Sequence, residues 1–303
     1  MRLLDKLVVP QWHVGLVRRP IAELLDGYRD IEIEWLQIAP EPEYAADPFG
    51  LVRDGRLHVF FEFKPFGGDG FIAHVEVGPH NELSPVRPVL KLPHHLSYPF
   101  LFEYGGELFM VPESAQAGQV MLFRCRQFPD RWEQAAVILP GIETVDNSIV
   151  QHDGRWWLFA ARGEERAELH LWWAASPLGP WQPHPRNPVK IASGSSRPAG
   201  TPFIKNGVLF RPAQDNSNGP GKEGRRIVLN RVGVLSTEEF SEKPVAYLEP
   251  DAASLCPAGR HTLAAAGSIT LIDGLRTSRT LSPMKLMWQV RAKYASARRN
   301  ESV

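Results

Sequence analysis

Cysteine is scarce in this chain: two residues, Cys125 and Cys256, among 303. Two cannot make a disulfide framework, and both are expected as buried free thiols, compatible with a reducing compartment. Charge of either sign is not in excess, with 34 basic and 34 acidic residues, so bulk electrostatics points to neither nucleic acid nor a membrane surface. No apolar run approaches the ~18 residues of a spanning helix. The opening Met1–Leu7 stretch lacks the apolar core of a secretion signal. A soluble cytoplasmic protein is the expectation. Cofactor motifs are missing as well: no Gly-x-Gly-x-x-Gly behind a strand, no P-loop, no Cys-x-x-Cys, no His-Glu-x-x-His. Ser195 and Ser196 have no nucleophile-elbow context. Neither a cofactor nor a metal is assigned.

What the chain has is a repeat. Tyr98 to Ser114 reads as two short strands around a Gly105-Gly106 turn, which supplies the positive φ angles of a tight hairpin. Related stretches begin at Asp47, Asp146, Thr201 and, more weakly, His261. Their turn glycines, Gly55, Gly106, Gly154, Gly207 and Gly267, are spaced by 51, 48, 53 and 60 residues. A hairpin recurring about every 50 residues marks a β-propeller with one four-stranded sheet per copy. The fold predicted is all-β: a five-bladed β-propeller over residues 1–282, with blades near 47–95, 98–140, 146–190, 199–250 and 261–276.

Outside the copies, Trp12 to Leu16 is strand-like and is expected to join the last blade and close the ring. Residues 20–29 suggest a short helix, and the alternation from Ile31 to Ile38 suggests a half-buried strand. Asp273-Gly274 reads as a turn. The longest loop, Asp215 to Gly224, is rich in glycine and asparagine, a composition that often carries function. Residues 283–299 read as a short basic C-terminal helix, which either packs on the propeller or offers a peripheral contact to a membrane or another protein.

The inner strand of each propeller blade begins at one mouth of the central channel. Those beginnings are Asp47, Tyr98, Asp146, Ala199 or Gly200, and His261, so two aspartates approach one funnel from different blades. Glu62 and Glu113 occupy equivalent places at the far ends of their hairpins, and Gln214 and Asp215 stand there in the fourth copy. Converging carboxylates suit glycosidic chemistry, in which one group stays protonated for the leaving oxygen while another activates water or attacks carbon. Each aspartate alone could equally cap a turn. Arg162, Arg197 and Arg211 border inner strands, where they could hold an anion or sugar hydroxyls or neutralise the aspartates. His261 is either a channel ligand or a satisfied core histidine.

Seven phrases carry a family resemblance: Ala46-Asp-Pro-Phe49, Leu96-Ser-Tyr-Pro-Phe100, Met110-Val-Pro-Glu-Ser114, Asp146-Asn-Ser, Gly154-Arg-Trp-Trp-Leu-Phe159, Arg211-Pro-Ala-Gln-Asp215 and His261-Thr-Leu263. Over roughly residues 10–276 the chain resembles the N-terminal domain of plant glucosamine inositolphosphorylceramide transferases. It is more distantly similar to the five-bladed propellers of arabinanases, xylosidases and fructosidases. Those enzymes use a first-blade Asp as base or nucleophile, which Asp47 matches. Tyr98 replaces their second-blade Asp, and Asp146 stands at the strand start corresponding to their third-blade Glu. The resemblance implies a carbohydrate-active enzyme, hydrolase or transferase, in glycan or glycolipid assembly. Asp47 is then base or nucleophile, Glu113 the acid and Asp146 a modulator or alternative acid. Glu62, Tyr98, Arg162, Arg197, Arg211, Asp215 and His261 are expected to hold a sugar or glycoconjugate. The competing reading is a non-catalytic propeller that binds a glycan or nucleotide sugar, or scaffolds a biosynthetic complex. No nucleic-acid partner is expected.

Overall fold

The structure, a computed structural model, describes residues 8–26, 31–41, 43–163, 166–217 and 224–279. The basic segment 283–299 lies outside the described residues. Five antiparallel sheets form, one for each repeat. The first holds β3 (Tyr44–Arg53), β4 (Arg56–Lys64), β5 (Phe71–Val77) and β6 (Arg87–Leu90). The second holds β7 (Ser97–Tyr104), β8 (Glu107–Glu113), β9 (Val120–Gln127) and β10 (Arg131–Leu139). In the third, β11 (Val145–His152), β12 (Arg155–Arg162) and β13 (Glu168–Ala174) are flanked by β14 (Gln182–Pro183) and β15 (Lys190–Ile191). The fourth contains β16 (Phe203–Lys205), β17 (Val208–Asp215), β18 (Arg226–Leu235) and β19 (Phe240–Leu248).

The last sheet joins the two ends of the fold. Strands β20 (Leu263–Ala266) and β21 (Ile269–Arg279) continue into β1 (Val8–Val17) and β2 (Glu34–Trp35). The N-terminal strand therefore closes the ring as the sequence suggests. Three local expectations change. Residues 20–26 make one 3-10 turn, Ile21–Leu25. Only Glu34–Trp35 of the alternating run pairs as a strand. Asp273-Gly274 is no turn: both residues lie inside β21, opposite Val14 and His13. The Asp273 carboxylate accepts backbone N–H bonds from Asp47 in β3 and from His261 and Thr262 just ahead of β20.

The sequence explains the ladder locally. Four inner hairpins turn on Asp54-Gly55, Gly105-Gly106, Asp153-Gly154 and Asn206-Gly207, with positive φ at both residues of each pair, the turn whose twist matches the flanking strands. The second strand of each blade is buried on both faces, as in Val59, Phe60 and Phe61 or Leu158, Phe159 and Ala160, because neighbouring blades cover it from either side. The outer strands β10 and β19 are largely exposed. Each buried aromatic ring or large aliphatic side chain contributes ~1.5–3 kcal/mol. One apolar cluster runs through Val14, Phe49, Tyr98, Phe100, Leu158 and Leu271, tying the closing sheet to the first three. Both cysteines are free, Cys256 buried and Cys125 half-buried.

The inner strands share a distortion. In β3, β7 and β11 the register slips by one residue, between Ala46/Phe49, Ser97/Phe100 and Val145/Ser148. At each slip a non-glycine residue has positive φ: Asp47 at 51°, Tyr98 at 44° and Asp146 at 55°. Such bulges re-aim a side chain out of the alternating pattern, at a strain of order 1–3 kcal/mol per residue. Gly200 takes the corresponding place in the fourth repeat, with φ 120°. A Cβ on Gly200 would lie 1.9 Å from the Leu263 carbonyl oxygen. Gly200→Ala is expected to cost about 3 kcal/mol by urea denaturation. Gly207→Ala, where a Cβ meets nothing within 4 Å, should lose only about 1 kcal/mol. Equal losses would show that the crowding at Gly200 is relieved at no cost.

Candidate functional site

The bulge at Asp47 aims its side chain into a cavity of about 310 Å³, and the bulge at Asp146 places its carboxylate behind it. It is lined by Trp12, Tyr44, Asp47, Glu62, His95, Ser97, Glu113, Val145, Arg166, Arg197 and His261. The N-terminal strand, the first three repeats, the segment ahead of the fourth and the start of the fifth contribute.

Asp47 is braced from the closing sheet. The Thr262 hydroxyl donates to Asp47 Oδ1 at 2.6 Å, and the Asp47 backbone N–H donates to Asp273 Oδ2 at 3.1 Å. Asp273 also accepts the backbone N–H groups of His261 and Thr262, at 3.0 and 2.9 Å. His261 Nδ1 lies 2.5 Å from Asp273 Oδ2 and 3.5 Å from Asp47 Oδ1. Its ring stacks on Trp12 with centroids 3.7 Å apart. Burial pushes the Asp47 carboxyl up to about 6; His261 opposes the rise, the charges of Asp146 and Asp273 add to it, and the Thr262 bond opposes it. Asp47, His261 and Asp273 each offer a ligand atom within 4.8 Å of the others, so this trio could also hold a cation.

Glu113 and Asp146 form the second half of the site. Glu113 ends β8 opposite Ser97, as Glu62 stands opposite Ala46, so the two glutamates are equivalent in their blades. Burial lifts the Glu113 carboxyl well above the usual carboxylate range. The Asp146 charge adds to this, Arg197 opposes it, and a side-chain hydrogen bond to Asp146 and the charge of Asp47 raise it further. When Glu113 holds its proton, it is the donor in that bond. Asp146, buried behind the cavity, accepts from Arg197 Nε at 2.5 Å and from Gln214 Nε2 at 2.8 Å on the same oxygen. On the opposite wall, Glu62 Oε1 lies 3.4 Å from His95 Nε2. The Gly70 backbone N–H donates to His95 Nδ1 at 2.9 Å, which leaves the ring proton on Nε2, facing Glu62.

Of the ten residues singled out from sequence, Asp47, Glu62, Glu113, Arg197 and His261 line the cavity, and Asp146 bonds to two of them. The other four lie elsewhere. The Tyr98 hydroxyl is 2.8 Å from Ser148 Oγ, accepts the Gly200 N–H and reaches the Gly200 carbonyl at 3.3 Å, pinning three repeats together. Arg162 donates to the Glu143 carbonyl at 3.1 Å. Arg211 is fully buried, with two bonds to Glu242 and two to the carbonyls of Ser195 and Ser196. Asp215 is held by Arg226 at 2.7 Å and by Ser217. None of the four lines the cavity. Trp12, Tyr44, His95, Ser97, Val145 and Arg166, together with Thr262, Asp273 and Gln214 behind them, were not marked as site residues from sequence. Trp12 had a legible signal in the ring-closing strand that carries it; Asp273 looked like a turn.

The raised Asp47 gives a signed expectation. Folded Asp47 holds its proton up to about 6, against 3.8 for the ordinary group. Its contribution to stability therefore falls as pH rises from 3.8 to 6 and remains a penalty above that. Asp47→Asn keeps an acceptor for Thr262 and suits positive φ. It is expected to stabilise the fold by ~1–3 kcal/mol at pH 7.5 and hardly at all at pH 4. Urea denaturation at both pH values checks this, and equal effects would contradict it.

Comparison with known proteins places this geometry in a family. Residues 36–254 match the family model described as glucosamine inositolphosphorylceramide transferase 1, N-terminal. The chain is 38% identical over 213 residues to glucosamine inositolphosphorylceramide transferase 1 of Oryza sativa subsp. japonica, an alignment covering 67% of this chain and 28% of that protein. It is 37% identical over 213 residues to the Arabidopsis thaliana protein of the same name, covering 67% and 27%. The chain thus spans little more than a quarter of the length of these relatives. Among solved structures it is similar to a family 117 glycoside hydrolase from Zobellia galactanivorans, with TM-score 0.55 and 14% identity over 88% of this chain and 91% of that one. It is also similar to the α-L-arabinanase of Cellvibrio cellulosa, with TM-score 0.51 and 11% identity over 66% and 77%. At such identities these two show a shared fold. The family match covers most of the chain, from the first blade to the end of the fourth, and this chain belongs to the family of the glucosamine inositolphosphorylceramide transferase 1 N-terminal domain.

Proposed function

We propose that this chain is a carbohydrate-active enzyme that makes or breaks a glycosidic bond in its central cavity. One observation carries the reading: a carboxyl that burial holds well above the usual carboxylate range, Glu113, shares a cavity with one that loses its proton above about 6, Asp47. That division of labour is what glycosidic chemistry needs. Glu113 gives its proton to the departing glycosidic oxygen as the bond to the anomeric carbon breaks. Asp47, as carboxylate, takes the proton of an attacking water or acceptor hydroxyl, or attacks the anomeric carbon itself. Asp146 receives the hydrogen bond of Glu113 and tunes its acidity. Glu62 with His95, Arg197, and the Trp12–His261 stack supply hydroxyl partners and an apolar face for a sugar ring. The names of the relatives support a glycoconjugate substrate and a role in glycolipid or glycan assembly.

A second reading has its own support. The relatives named as transferases are more than three times as long as the stretch they share with this chain, which leaves room for their chemistry elsewhere. On that reading the propeller holds a sugar without turnover.

Saturation-transfer NMR and turnover assays with monosaccharides, nucleotide sugars and aryl glycosides separate the two. The enzyme reading expects a bell-shaped rate profile, with an acid limb near 6 from Asp47 and a basic limb well above the carboxylate range from Glu113. Asp47→Asn should bind sugar yet lose turnover by about 10³-fold or more. Glu113→Gln should lose about 10²–10⁴-fold on poor leaving groups and less on activated aryl glycosides. Sugar binding by both proteins with no product from the wild type would establish the binding module instead.

A further inference from the structure

Gln214 is buried to 1% exposure, and nothing in the chemistry above requires it. One of its amide N–H groups donates to Asp146 Oδ2 at 2.8 Å and the other to the Pro198 carbonyl at 3.1 Å. Both neighbours are acceptors only, so the amide has one workable orientation, nitrogen toward Asp146. Its Oε1 accepts from Asn216 Nδ2 at 3.4 Å, and Asn216 Oδ1 accepts the Gly224 backbone N–H at 2.7 Å. Gly224 in turn sits against the cavity wall: a Cβ there would come within 2.7 Å of His261 and 3.0 Å of Trp12. A line of hydrogen bonds therefore runs from Gly224, packed against the aromatic wall, through Asn216 and Gln214 to Asp146.

We propose that Gln214 is a positioning residue for Glu113: it orients Asp146 and stabilises its negative charge, so that the proton shared by the two carboxyls stays on Glu113, the member that faces the cavity. Arg197 and Gln214 occupy one oxygen of Asp146 together. Two donors on that atom hold the carboxylate plane against rotation and favour charge on Asp146 over charge on Glu113. The other groups that act on the pair are Asp47, across the cavity, and Tyr98, whose phenol burial keeps protonated. Neither donates to Asp146, so loss of Gln214 leaves Asp146 to Arg197 and Glu113. This inference rests on the reading of Glu113 as the acid.

The test needs no substrate. In the full chain carrying ¹³C-labelled Asp and Glu carboxyls, the Glu113 and Asp146 resonances are assigned with Glu113→Gln and Asp146→Asn and followed from pH 4 to 9. Gln214→Met, close in size and unable to donate, is expected to move the partition of the proton roughly tenfold toward Asp146, the effect of one lost bond to a charged group. The Glu113 carbon then shifts toward its ionised position at pH 7. Asn216→Ala, which loosens Gln214 without touching Asp146, should shift it the same way by less, and serves if Gln214→Met fails to fold. Any turnover should fall in kcat with little change in KM. A Glu113 resonance in folded Asn216→Ala and Gln214→Met that follows the wild type would overturn the proposal. Wild-type Glu113 titrating in the ordinary carboxylate range would instead overturn the acid reading beneath it.

Discussion

Ten consecutive residue pairs between β1 and β21 join the two ends of the fold, and the centre of the ring depends on that seam. The closing sheet delivers Trp12 from one of these strands and Asp273 from the other, with His261 and Thr262 just ahead of β20. Asp273 then reaches across to the Asp47 backbone N–H, 226 residues away in sequence. Remove the seam and Asp47 loses its brace, His261 loses both its carboxylate partner and its stacking partner, and one wall of the cavity disappears. The geometry of the first repeat is thus conditional on a pairing between the two ends of the fold.

What the seam holds in place is costly by itself. Three inner strands slip register at Asp47, Tyr98 and Asp146 and carry them at positive φ. Two of those residues are buried carboxyls, and they meet a third in Glu113. Burying charge without compensation is unfavourable, and the protein meets the problem in three ways. Asp146 is given Arg197 and Gln214. Glu113 is held toward its protonated, neutral form. Asp47 is given a hydroxyl and a nearby histidine, which offset only part of the rise that burial causes. Tyr98 turns the same strained conformation to structural use, as its hydroxyl ties the second, third and fourth repeats at Ser148 and Gly200. Strain and buried charge gather where a reacting ligand would sit, as expected of a site whose groups are preorganised by the fold.

Another buried charge cluster shows the contrast. Arg211 is wholly buried, like the catalytic candidates, yet its guanidinium is matched by Glu242 and by two carbonyls, with Lys190 completing the group at 2.8 Å from Glu242. It does not line the central cavity. It fastens the edge strand of the third sheet to the fourth. Burial and charge alone do not separate a reactive group from a fastener; the balance of partners does.

Hairpin repeats were legible in the sequence because their determinants are local. Asp-Gly, Gly-Gly and Asn-Gly turns set the positive φ pair, and runs such as Leu57 to Phe61 and Trp156 to Ala161 supply strands buried on both faces. The repeat period then yields five blades, and the equivalence of Glu62 with Glu113 and of Asp47 with Asp146 follows from register within each copy. Where local patterns mislead, a distant partner is responsible: Asp273-Gly274 has the composition of a turn, but β1 pairs with it as strand. The same limit explains Arg211, Asp215 and Arg162, which border inner strands as the sequence suggests and yet turn to neighbours other than the cavity. Sequence by itself thus determined the blade count, the closing strand and the carboxyls that reach the axis. Only the tertiary structure decided which of them keep a proton and which side chains from other blades stand beside them, because burial and through-space charge depend on residues far apart in the chain.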